Sequence, residues 1–120
     1  MTENYLTRYC TLCETIASEQ RKGAKMNVKK HNTARLALNK LALELSQNEI
    51  VAKDVFFMLL KECNIRVRLS AAAHSLKYGI HAEEAICVLE NIEKDNDAYA
   101  AFSAMMVLKV YRGEIAGRQL

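Results

Sequence analysis

The chain contains no proline and only four glycines in its 120 residues. These two residue types interrupt regular structure more strongly than any others, so a chain that nearly lacks them can form long continuous elements. Ala, Leu, Glu and Lys are abundant, and all four are good helix formers. A β-rich fold would need Gly- or Asn-rich turns about every 8–12 residues, and these are missing. The sequence therefore predicts an all-α fold.

Six segments show the periodicity of a helix with one buried face, because their apolar residues recur at spacings of three and four. The predicted helices cover about residues 3–19, 24–45, 48–60, 64–79, 81–94 (or 82–94) and 97–113. The third, fourth and sixth helices are each preceded by a residue whose side-chain oxygen can accept a hydrogen bond from the first helical turn. These residues are Asn48, Asn64 and Asp97, respectively. Gly79 and Gly113 are predicted to end the fourth and sixth helices.

The predicted helices align with one another at similar offsets. Helices three and five superimpose at an offset of 30 residues, with Val55 on Ala85. Helices four and six superimpose at 32, with Ala72 on Ala104, and helices two and four at 35, with Ala37 on Ala72. Any two amphipathic helices align at some offset, but here separate helix pairs give nearly the same one.

Two-helix units of about 30–35 residues are typical of armadillo- and HEAT-like repeats. The sequence therefore predicts a right-handed α-α superhelix of about six helices, which forms a single domain over residues 1–120. A closed four-helix bundle with long connections is the alternative architecture. Helical-repeat proteins mostly bind other molecules rather than transform them.

Residues 65–113 resemble a bacterial domain family of unknown function. Its members are small helical proteins with an armadillo/HEAT-like fold. The resemblance rests on residues 67–76, 85–90 and 101–113, whereas the N-terminal half matches only in its helical pattern. Small helical-repeat proteins of this kind are similar to immunity proteins that protect bacteria from polymorphic toxins. By analogy, the resemblance implies a protein that neutralises a cognate toxin, a nuclease, by binding it stoichiometrically.

Charge is strongly segregated along a chain whose net charge is only +3. Residues 21–40 carry seven basic side chains and no acidic one, while residues 81–97 carry six acidic side chains against Lys94 alone. Such separation of charge favours fast association with a charged partner. The alternative explanation is that these charges simply belong to ordinary solvent-exposed helix faces.

Two candidate partner-binding surfaces follow from this charge pattern. The first is an acidic ridge on the outer side of the fifth helix, formed by Glu83, Glu84 and Glu90. These carboxylates can take the place of RNA phosphates in the basic cleft of a nuclease, and complementary charge of this kind gives partner specificity. The second is a basic face, formed by Lys25, Lys29 and Lys30.

The basic residues also support an alternative function, in which the chain is a helical scaffold or nucleic-acid-binding module that acts through residues 21–40. Lys22, Lys25 and Lys29 follow the i, i+3, i+7 spacing of one helix face and can hold a phosphate backbone. No aromatic residues interleave with them, as they do in single-strand stacking platforms. A net charge of +3 is also modest for a dedicated nucleic-acid binder.

No motif in the chain carries the spacing of a catalytic or metal site. Cys10 and Cys13 form a CxxC, but a redox pair belongs at a helix start after a strand, and a zinc site needs two further nearby ligands. His81 and Glu83 match the HxE of zinc deaminases without the CxxC that must follow it. We interpret the two cysteines, and a half-buried His74, as structural. The sequence predicts no enzyme, no cofactor and no bound metal.

The N-terminal residues have neither the basic start nor the apolar run of a secretory signal. No segment approaches the roughly 20 consecutive apolar residues of a membrane helix. The sequence therefore predicts a cytoplasmic protein with no membrane partner.

Overall fold

The structure is a computed structural model that describes residues 2–115 of the chain. Its helices are α1 (Thr2–Arg21), α2 (Val28–Ser46), α3 (Glu49–Leu59), α4 (Ile65–Tyr78), α5 (Ala82–Ile92) and α6 (Ala98–Tyr111), with a one-turn 3-10 helix (Gly23–Lys25) before α2. No strand occurs within residues 2–115. The all-α prediction is confirmed.

The chain divides into two compact units, Met1–Val55 and Phe56–Leu120, and the division falls inside α3. In the first unit α1 packs against α2. In the second unit α4 packs against α5 and α6, which also contact each other. The right-handed superhelix and the single domain over residues 1–120 stay predictions.

The polar caps lie where the sequence predicts them. Oδ1 of Asn48 accepts from the backbone N–H of Val51 at 3.2 Å, and Oδ1 of Asn64 accepts from that of Arg66 at 2.9 Å. Oδ1 of Asp97 accepts from the N–H of Ala100 at 3.1 Å. Each bond satisfies a first-turn N–H that has no partner inside its helix.

The second helix begins later than the sequence predicts. The predicted start near residue 24 is wrong, because Gly23 to Lys25 form a separate 3-10 turn and α2 begins at Val28. Gly23 adopts the left-handed conformation with φ 57°, which interrupts the helical path. Asn27 is the actual cap, since its Oδ1 accepts from the N–H of Lys30 at 3.0 Å.

Each helix buries one apolar face, as its periodicity predicts. In α2 the buried residues are Ala34, Leu38, Leu41, Ala42 and Leu45. Ala72 and Ala104 are also buried, as their alignment requires. The alignment of helices two and four is wrong at one position, because Ala37 is exposed whereas Ala72 is buried.

One buried polar group in α4 has no hydrogen-bond partner to replace its lost hydration. Within residues 2–115, the hydroxyl oxygen of Ser75 is the buried side-chain atom that finds no hydrogen-bond partner. A buried hydroxyl without a partner loses its hydration and regains nothing, and serine is also a weaker helix former than alanine. We expect Ser75→Ala to raise the free energy of unfolding by about 1 kcal/mol.

Urea denaturation measures this change, with Ser70→Ala as the matched control on the same helix. Ser70 is half-buried, so its replacement gains only helix propensity, a few tenths of a kcal/mol. A Ser75→Ala protein that is less stable than the wild type would show that the hydroxyl forms a bond that stabilises the fold.

Candidate protein-binding surfaces

The acidic ridge lies on the solvent side of α5, as predicted. Ala85, Leu89 and Ile92 recur at three- and four-residue spacing and are buried. Because an α-helix repeats every 3.6 residues, the residues on the sides of α5 away from this buried face point outward. Those outward residues include the three carboxylates of the ridge, Glu83, Glu84 and Glu90, and all three are exposed.

Ion pairs neutralise little of the negative charge of the ridge. No basic residue belongs to α5, and among residues 2–115 no cation lies within ion-pair distance of Glu83 or Glu84. Both occupy the first helical turn, where the positive end of the helix dipole favours carboxylates. Glu90 accepts a long hydrogen bond of 3.4 Å from Nη2 of Arg112, and such an exposed pair is weak.

An exposed aromatic side chain borders the start of the ridge. The rings of Phe57 and His81 lie 6.0 Å apart between centroids, and His81 directly precedes α5. His81 has a φ of 49°, a left-handed conformation that is uncommon for a residue with a side chain. Nζ of Lys61 lies 4.0 Å from the centroid of Phe57. Sequence reasoning missed Phe57, because it directly follows the buried Phe56 in an apolar run.

A pocket of about 400 Å³ opens on the flank of α5. It is lined by Leu60, Arg68, Val88, Asn91, Ile92 and Asp95. Nη1 of Arg68 donates to the carbonyl oxygens of Glu62 at 2.8 Å and Cys63 at 2.9 Å, which hold the guanidinium in the pocket wall. The pocket also depends on Arg68 of α4 and on Leu60 after α3, which no local sequence pattern connects to α5.

The basic face is exposed, but it is not one helix face. Lys29 and Lys30 belong to the first turn of α2, while Lys25 lies in the preceding 3-10 turn. All three are exposed. The predicted stripe of Lys22, Lys25 and Lys29 along one helix is therefore wrong, because the chain turns between Gly23 and Asn27.

A buried carboxylate holds this turn together. Glu19 is only 1% exposed, and its Oε2 accepts from Nζ of Lys22 at 2.7 Å and lies 3.7 Å from Nζ of Lys30. Its Oε1 accepts from the backbone N–H of Asn27 at 2.9 Å. These bonds, first that from Lys22 and then that from Asn27, lower the pKa of Glu19.

The Glu19 contacts partly neutralise two of the seven basic residues in 21–40. Sequence reasoning missed Glu19 because it precedes that segment, and a carboxylate in the last turn of a helix is usually solvated. A shallow groove of about 420 Å³ lies beside the turn, lined by Leu12, Thr15, Asn27, Lys29, Lys30, Thr33, Ala34 and Ala37.

The two cysteines of the CxxC and His74 lie within helices. Cys10 and Cys13 belong to the middle of α1, where Cys13 is buried. His74 is buried in α4 rather than half-buried as predicted, and burial, followed by the charge of Lys77, lowers its pKa to about 4. Among the described residues, no group of three or more His, Cys, Asp or Glu side chains is placed to hold a metal ion.

No described helix combines the length and the apolar character that crossing a bilayer requires. Comparison of the chain with protein-family models, with curated proteins and with solved structures gives no significant match. The resemblance of residues 65–113 to a family of small helical proteins therefore stays a prediction.

Proposed function

We propose that this protein is a cytoplasmic immunity protein that binds and neutralises a cognate toxin, a nuclease, through the acidic ridge of α5. One observation carries the proposal: Glu83, Glu84 and Glu90 are exposed together on a helix that contains no basic residue. Nucleases bind a polyanion, so their substrate clefts present positive charge. A helix that exposes several carboxylates and no basic side chain complements such a cleft.

The inhibition is stoichiometric and needs no chemistry. The ridge occupies the positions of substrate phosphates, while the exposed ring of Phe57 beside the start of α5 supplies apolar contact at the edge. Aromatic anchors with charged surroundings are typical of tight protein interfaces. Opposite charges also accelerate encounter, which matters for a protein that must act before its toxin does. An interface of standard size buries about 1,600 Å² in total.

Reversing the ridge charge is expected to weaken binding about tenfold and to remove protection. The variant is Glu83→Lys, Glu84→Lys and Glu90→Lys together, and the probe is the protein encoded by the adjacent reading frame. Co-expression growth measures protection, and surface plasmon resonance at two salt concentrations measures the association rate. The rate should fall in the variant and lose most of its salt dependence.

A matched control carries the same change of charge elsewhere. Glu14, Glu44 and Asp54 are exposed residues of α1, α2 and α3, so replacing all three with Lys leaves the three ridge residues unchanged. This control should protect like the wild type. Equal protection by the ridge variant would contradict the role of the ridge. An adjacent frame without a toxin-like domain, together with a failure to rescue any toxin, would contradict the function itself.

The alternative function is nucleic-acid binding through residues 21–40. The observation that favours it is that exposed Lys29 and Lys30 line the groove at the start of α2, with exposed Lys25 in the preceding turn. Against it, Glu19 already neutralises part of the charge of Lys22 and Lys30. Gel shifts with RNA and DNA at moderate salt separate the two functions. The alternative requires salt-sensitive binding that Lys25→Glu, Lys29→Glu and Lys30→Glu abolish, and the immunity function requires none.

A further inference from the structure

The pocket on the flank of α5 is lined by one positive and one negative side chain. Its volume of about 400 Å³ lies in the range of small-molecule sites. The lining consists of Leu60, Arg68, Val88, Asn91, Ile92 and Asp95. Neither Arg68 nor Asp95 forms an ion pair with any residue in the described part of the chain. Both charges are therefore available to a ligand.

The guanidinium of Arg68 is held in a way that leaves one of its edges unbonded. Nη1 donates to the carbonyl oxygens of Glu62 at 2.8 Å and Cys63 at 2.9 Å. Nε and Nη2 bond to no acceptor among residues 2–115. These two nitrogens form the planar fork that binds both oxygens of a carboxylate. Because the two carbonyls are neutral, the positive charge remains, and Arg68 is prepared to bind an anion.

The carboxylate of Asp95 is also fixed by the backbone. Its Oδ1 accepts from the N–H of Asp97 at 2.9 Å, in the turn that joins α5 to α6. Because Asp95 and Arg68 are each bonded to their own part of the backbone, the two charges stay apart and do not neutralise each other. A ligand that carries both charges can bind between them, and the protein then loses little conformational entropy.

The other lining residues favour a small ligand with a short apolar part. Asn91 carries a carboxamide, which can both donate and accept a hydrogen bond. Leu60, Val88 and Ile92 have branched aliphatic side chains and form an apolar floor. Leu60 and Ile92 are buried, so the position of this floor is set by the core.

From this arrangement we propose that the pocket binds a free aliphatic α-amino acid. The α-carboxylate accepts from Nε and Nη2 of Arg68, and the α-ammonium donates to Oδ2 of Asp95. The aliphatic side chain contacts the apolar floor. A simple anion fits less well, because Asp95 repels it. The C-terminus of a peptide also fits less well, since it has no ammonium next to its carboxylate.

An NMR titration with L-valine tests the proposal, because the backbone amide signals of Val88 and Asn91 report on the pocket. We expect saturable shifts with a dissociation constant of about 1 mM or below. L-Valinamide lacks the carboxylate, whereas N-acetyl-L-valine lacks the ammonium and imitates the C-terminus of a peptide. Each should bind at least about tenfold more weakly than L-valine, since each loses one charged hydrogen-bonding group.

Asp95→Asn tests the contact with the ammonium. Asparagine keeps the Oδ1 that accepts from the N–H of Asp97, so the turn is retained while the charge is lost. This variant should bind L-valine at least about tenfold more weakly and should not weaken the binding of N-acetyl-L-valine. Glu93→Gln is the matched control, because Glu93 is an exposed carboxylate that does not line the pocket. The control should bind L-valine like the wild type.

Arg68→Gln tests the contact with the carboxylate and should abolish the L-valine shifts, whereas Arg35→Gln, at an exposed arginine of α2, should leave them unchanged. Circular dichroism checks that Arg68→Gln is folded. If it is not, the two valine derivatives and Asp95→Asn still decide the outcome.

The absence of any saturable shift with L-valine overturns the proposal. Equal binding of L-valine and N-acetyl-L-valine also overturns it, because that result describes a site for anions or peptide C-termini. Neither result bears on the acidic ridge, because the proposed amino-acid site does not depend on the proposed function.

Discussion

Acidification from pH 7 to pH 4 is expected to remove about 3 kcal/mol of the free energy of unfolding through His74 alone. The ring of His74 is only 7% exposed, and burial lowers its pKa from 6.5 to about 4, with a smaller effect from the charge of Lys77. The folded state therefore favours the neutral ring. Its contribution to stability is complete above pH 6.5 and is lost as the pH falls toward 4, because the unfolded chain gains the proton first.

Urea denaturation at several pH values measures this loss, and His74→Leu serves as the non-titrating variant. The bonds that lower the pKa values of Glu19 and Asp97 cause stability to fall only below about pH 4.5. We therefore assign the loss of stability between pH 6.5 and pH 4.5 to His74. In His74→Leu the decrease over this range should disappear, and in Lys77→Gln most of it should remain. An unchanged decrease in His74→Leu would contradict the assignment.

Replacing either of two fully buried alanines with leucine is expected to cost about 1–3 kcal/mol. Ala72 in α4 and Ala104 in α6 are both 0% exposed, and these two helices pack against each other. Leucine adds three heavy atoms at a position where the packing is already complete. The structure must then strain neighbouring side chains or move the helices apart.

The urea concentration at the denaturation midpoint measures the effect, provided that the slope of the free energy of unfolding against urea concentration is unchanged. Ala37→Leu is the matched control, because Ala37 is an exposed alanine in the middle of α2. That variant should change the free energy of unfolding by less than about 0.5 kcal/mol. Unchanged midpoints for both buried variants would show that each site can accommodate the larger side chain.

The helices and the caps of α3, α4 and α6 could be predicted because they depend on neighbours in the sequence. Asn48, Asn64 and Asp97 each accept a hydrogen bond from an N–H two or three residues away. The buried faces could be predicted for the same reason, since a period of 3.6 residues places the core side of a helix wherever apolar residues recur. The exposure of the acidic ridge follows from the burial of its neighbours on α5.

Features that join distant residues could not be predicted in this way. The turn before α2 is bound by Glu19, whose Oε1 accepts from the backbone N–H of Asn27 eight residues further along the chain. The pocket beside α5 depends on Arg68, which belongs to a different helix. The sequence pattern of α3 does not indicate that the ring of Phe57 lies beside the ring of His81.

The amino-acid sequence by itself determined which segments are helical, where most of them begin, and which side of each helix is apolar. These properties arise from backbone hydrogen bonding and side-chain periodicity over a few residues. Only the tertiary structure decided how much of each apolar side is covered. The composition of α6 is apolar all round, yet burial depends on which neighbours reach it, and α4 and α5 leave Phe102 in contact with solvent.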